Sequence, residues 1–113
     1  MGIINFIKNR VYAYTLNISK VTIEMFNNDD LVFNLNWKCL EKLAGLAVNA
    51  MQLNKVAHAK NINYKVVTAV LSNSKVKLQD LDSQSFLNLA KFSKNNKELS
   101  KIIGMVNASL IGL

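Results

Sequence analysis

The chain has 113 residues, half of them hydrophobic, with one cysteine, no proline and a net charge of +7. That length fits a single domain spanning residues 1–113, and that apolar content excludes a disordered chain. The lone cysteine excludes an intramolecular disulfide and a cysteine-based metal cluster, and no apolar run approaches the ~18 residues of a membrane span.

Residues 2–9 are apolar-rich and suggest one or two helical turns. From residue 11 onward Tyr12, Tyr14, Leu16 and Ile18 alternate with small or polar residues. Val21, Ile23 and Met25 alternate again after Ser19-Lys20. Period two with Thr, Val, Ile and Tyr enriched predicts two strands over residues 11–26. The same stretch also keeps a three-four spacing through Ile4, Ile7, Val11, Tyr14, Ile18, Val21 and Met25, which would make one helix and leave Tyr12, Leu16 and Ile23 on its other face. Residues 27–30, Asn-Asn-Asp-Asp, form a turn cluster. Leu31, Phe33, Leu35 and Trp37 then predict a third strand, completing an antiparallel meander with one face buried.

Residues 37–60 read as one long central helix. Its polar positions fall in a narrow stripe, with Leu40, Leu43, Ala44, Leu46, Ala47, Ala50, Met51, Leu53 and Ala57 filling the rest. A stripe that narrow means the helix is covered on most sides, so Leu43 and Leu46 are expected in the core. Asn36 is the expected N-cap, and Cys39 a small buried residue.

Tyr64–Leu71 fits either a strand or a short helix capped by Asn63, with helix slightly favoured. Asp82 is the expected N-cap of a helix over residues 83–93, with Leu81 and Phe86 at the spacing of a hydrophobic staple. Asn95-Asn96 ends that helix and can cap another over residues 97–111, which carries Leu99, Ile102, Ile103, Val106 and Leu110 as one stripe. The expected fold is therefore α+β: an N-terminal antiparallel β-meander packed by a long central helix, with two or three C-terminal helices. The alternative is an all-α bundle.

The charge is uneven. Residues 1–36 are neutral, and residues 37–113 hold eleven lysines against four carboxylates, hence the whole +7. Lys91, Lys94, Lys97 and Lys101, with Lys65, Lys75 and Lys77, could line a phosphate-tracking surface; equally they could be the solvated face of the last helices. Arg10 is the one arginine, and base reading favours arginine, so little sequence preference is expected.

Asn54 and His58 continue an otherwise apolar row of the central helix and could floor a polar pocket. The structural alternative is that the helix leaves the core there and His58 caps its end. Asp29-Asp30 and the Asp80/Asp82 pair sit where turns and helix starts favour aspartate, and Cys39 has no local partner that would activate it. No catalytic, metal or nucleotide motif emerges, and no cofactor is implied.

These residues favour a small non-enzymatic protein-interaction module: an inhibitor, adaptor or assembly factor, of the kind a phage or mobile element carries. Tyr12, Tyr14, Leu110, Ile111 and Leu113 are apolar side chains in excess of what so small a core needs, and would form an interface to a protein partner or a second copy. The alternative is a basic nucleic-acid-binding protein with weak sequence preference. Absence of a secretory leader places the expected location in the cytoplasm.

Overall fold

The computed structural model describes residues 10–111 and contains helices and no strands among them. The expected meander is not formed. Residues 10–15 belong to helix α1, two 3-10 turns follow at Ile18–Lys20 and Ile23–Asn27, and helix α2 is Asp29–Asn34. The protein is all-α, and the α+β expectation is corrected accordingly. Residues 1–9 and Leu113 lie outside the described residues, so the reading of residues 2–9 and the assignment of Leu113 to an interface do too.

The physical reason is which side chains find cover. Alternation specifies a strand when every second side chain is buried. Here Tyr12, Tyr14, Ile18 and Ile23 are exposed, and the buried set is Ala13, Leu16, Val21, Phe26, Val32 and Leu35. Local polar bonds then favour short helical turns. Asn17 accepts from Ser19 N, and Asn28 caps α2 by accepting from Leu31 N. Asp29 and Asp30 thus occupy the first turn of α2, where negative charge suits the helix dipole.

The long central helix is two helices, α3 Trp37–Leu46 and α4 Ala50–Ala57. The break is a capping arrangement between Asn49 and Gln52. Asn49 Oδ1 accepts from Gln52 N at 2.9 Å, while Gln52 Oε1 reaches back to accept from Val48 N at 2.9 Å. The carbonyls freed at the end of α3 are taken from a distance. Asn73 Nδ2 donates to Ala44 O and Ala47 O, and Lys75 Nζ donates to Gly45 O.

Beyond the break come α5 Tyr64–Leu71, a 3-10 turn at Leu78–Asp80, α6 Ser83–Lys91 and α7 Asn96–Ile111. Their N-caps are Asn63, Asp82 and Asn95, each accepting from a first-turn N–H as its side chain type predicts. Leu81 and Phe86 are both buried, as a staple requires. The core fills the space where α3 packs on α5 and α4 on α6. Leu40, Leu43, Leu53, Val56, Val66, Val67, Val70 and Leu89 are among its fully enclosed side chains. Leu46 departs from expectation: at the last residue of α3 it is only partly buried.

Lysines finish several carbonyl ends. Lys55 Nζ donates to Phe26 O and Lys101 Nζ to Leu71 O, while Lys42 Nζ shares Ile18 O with Val21 N. An ammonium beside unpaired carbonyls satisfies them and complements the negative end of a helix. A good part of the lysine excess therefore has a structural use.

Candidate functional site

The seven lysines expected to track phosphate are divided among separate places. Lys75 is committed to Gly45 O, and Lys77 is exposed beside the Leu78–Asp80 turn. Lys94, Lys97 and Lys101 line a shallow cleft of about 370 Å³ between the end of α5 and the start of α7. Glu98 sits among them: its carboxylate accepts from Thr68 Oγ1 at 2.7 Å and from Lys94 N at 3.0 Å. That carboxylate interrupts the positive field an unbroken phosphate track would need.

Lys65 and Lys91 instead meet aromatic rings. Lys65 Nζ lies 4.9 Å from the centre of the Trp37 ring, Lys38 Nζ lies 5.7 Å from the same ring, and Lys91 Nζ lies 5.5 Å from that of Phe92. An ammonium is drawn to a ring face by the ring quadrupole. Trp37 and Phe92 both line an open groove of about 720 Å³, with Tyr14, Lys38 and Lys60 on its walls and no carboxylate among its lining residues.

Asparagines hold the groove's framework. Asn36 Nδ2 donates to Tyr14 O and Leu16 O while its Oδ1 caps α3 at Cys39 N. Asn61 Nδ2 donates to Leu35 O at 3.0 Å. The chain leaving α1, the start of α3 and the loop after α4 are thus pinned to one another by amides with little freedom to move.

The residues expected at an interface are exposed where described. Tyr12 and Tyr14 project from α1, and Leu110 and Ile111 from the last turn of α7. The expected single buried stripe on α7 is not formed. Only Ile102 is fully buried, while Ile103, Leu110 and Ile111 are 52%, 69% and 82% exposed.

Asn54 and His58 are engaged in a contact between helices. They latch α4 to the start of α6: Asn54 Oδ1 accepts from Asp82 N and Ser85 Oγ, and His58 Nε2 lies 2.8 Å from Asp82 Oδ1. Sequence reasoning missed this pairing because the partner is 24 residues away. Ser85 is fully buried and its hydroxyl is spent on Asn54, so it is no nucleophile for His58. Cys39 is likewise enclosed; its thiol donates to Leu16 O, and burial pushes its pKa up. Among the described residues no group of three or more His, Cys, Asp or Glu could hold a metal ion, and no helix is long and apolar enough to cross a membrane.

The latch carries a pH dependence. Partial burial works to raise the pKa of Asp82, but hydrogen bonds from His58 and Ser85 and the His58 charge outweigh it, so the carboxyl titrates below its ordinary value. A depressed folded pKa gives stability that is present above the unfolded value of about 3.9 and lost as pH falls through the folded pKa. The urea midpoint should accordingly fall as pH drops below about 4. Asp82→Asn, which keeps a capping oxygen, should flatten that fall; an unchanged acid limb would show that the latch adds nothing.

No known protein family matches the chain, and neither a curated protein nor a solved structure does.

Proposed function

We propose that the protein is a non-enzymatic protein-interaction module of the cytoplasm that pairs with a second copy of itself through the outer face of α7. One observation carries this reading. Ile103, Leu110 and Ile111 lie exposed from the middle to the end of α7, and residues 102–111 contain no charged side chain. Two copies each carrying +7 repel through their lysine-bearing surfaces. The uncharged face of α7 lets two copies meet without setting lysine against lysine, and a two-fold pairing covers the same apolar residues on both. Asn107, exposed between Ile103 and Leu110, would fix the register by pairing with its counterpart, as polar positions do in helix–helix seams. An adaptor or assembly role then follows from pairing, not from chemistry at a pocket.

Sedimentation velocity at micromolar concentration tests this. A concentration-dependent dimer is expected, reduced about tenfold or more in affinity by Leu110→Lys, since the substitution sets two ammonium groups against each other in an apolar seam. A monomer at all concentrations would remove the support for the reading.

A further inference from the structure

The aromatic and basic groove between α1, α3 and the loop after α4 is not used by that pairing. From its chemistry we infer that it binds single-stranded nucleic acid, stacking bases on Trp37 and placing phosphates on Lys38, Lys60 and Lys65. Tyr14, Trp37 and Phe92 give the groove three aromatic side chains, and Lys38 and Lys60 line it with no opposing carboxylate. Lys65 and Lys91 reach its aromatic rings from outside the lining. Aromatic platforms interleaved with lysines are what a single strand needs, because every unpaired base offers a π-face and every linkage a negative charge.

The ammonium groups over Trp37 act as placeholders. In the free protein Lys38 and Lys65 sit 5.7 Å and 4.9 Å from the centre of its ring. A base stacking on that ring takes the place of an ammonium. The displaced lysine stays within reach of the adjoining phosphate, so both halves of the nucleotide are met by groups already in position. A duplex hides its base faces in its own stack and gains only the electrostatic part. A polyglutamate chain offers carboxylates but no flat rings for Trp37. Hydrogen bonds from Asn36 and Asn61 hold the framework, so little ordering has to accompany binding.

Trp37 is the one tryptophan in the chain, so its fluorescence reports on this groove alone. Titrating the full chain with an oligothymidylate at low ionic strength should quench Trp37 emission to saturation. The affinity should fall with salt at a slope of about −0.7 per phosphate neutralised. The double reversal Lys38→Glu with Lys65→Glu should weaken binding by about tenfold or more, while Lys77→Glu with Lys97→Glu, equal in charge but off the groove, should change it less than about threefold. Helical circular dichroism confirms that both variants fold. Equal weakening by the two double variants, duplex DNA binding as tightly as the single strand, polyglutamate quenching Trp37 equally, or no quenching would each overturn the inference. Because Trp37, Lys38 and Lys65 lie on α3 and α5 and not on α7, the test of the groove stands apart from sedimentation.

Discussion

Asn73→Leu is expected to lower the melting temperature by roughly 12–20 °C, the equivalent of about 3–5 kcal/mol in a domain of this size. Asn73 is buried and makes four hydrogen bonds. Its Nδ2 donates to Ala44 O at 2.8 Å and Ala47 O at 2.9 Å, and its Oδ1 accepts from Lys75 N at 2.8 Å and Val76 N at 3.0 Å. Leucine fills similar space, so packing is nearly conserved and water is kept out. What changes is that two carbonyls and two N–H groups lose this partner at once. An unpaired buried polar group costs about 1–3 kcal/mol, discounted here because α3 and the turn after α5 can relax. Thermal unfolding followed by circular dichroism measures the effect. A melting temperature within a few degrees of the parent would mean that solvent reaches these groups and that the amide is not what ends α3.

Leu43→Ala should cost about 3–5 kcal/mol, whereas Leu46→Ala, one turn further along α3, should cost roughly 1–2 kcal/mol. Leu43 is fully enclosed where α3 packs on α5, so truncation leaves a cavity the surrounding helices cannot close. Leu46 is the last residue of α3 and only partly buried, so part of the vacated space opens to water and less apolar contact is lost. Urea denaturation of the two variants side by side gives the difference. Equal costs would place the end of α3 elsewhere than Leu46.

The C-terminal half of the fold is readable in the sequence because its signals are local. Asn63, Asp82 and Asn95 are side chains that cap helices, each standing just before an apolar stripe of helical period, and all three act as caps. The central break was also written locally, in Asn49 and Gln52, but the Ala- and Leu-rich periodicity running through it masked the signal. Residues 11–37 mislead for a different reason. Their aromatic and β-branched residues alternate, yet Tyr12, Tyr14, Ile18 and Ile23 face solvent. The side chains that matter, such as Val21, Phe26 and Val32, are identified only once the rest of the core that covers them exists. The groove is illegible for the same cause. Tyr14, Trp37, Lys60 and Phe92 come from segments far apart in the chain, and no window of sequence contains their neighbourhood.

The break between α3 and α4 also bears on the order in which the chain folds. Read locally, residues 37–57 favour one uninterrupted helix, a preference at odds with the native bend. Asn49 and Gln52 favour the bend, but the carbonyls of Ala44 and Ala47 depend on an amide 29 and 26 residues away. Until α5 and the turn after it arrive, nothing supplied by Asn73 rewards bending. The end of α3 is therefore fully satisfied only once α5 has docked, by a residue that follows in the chain both of the helices the break separates.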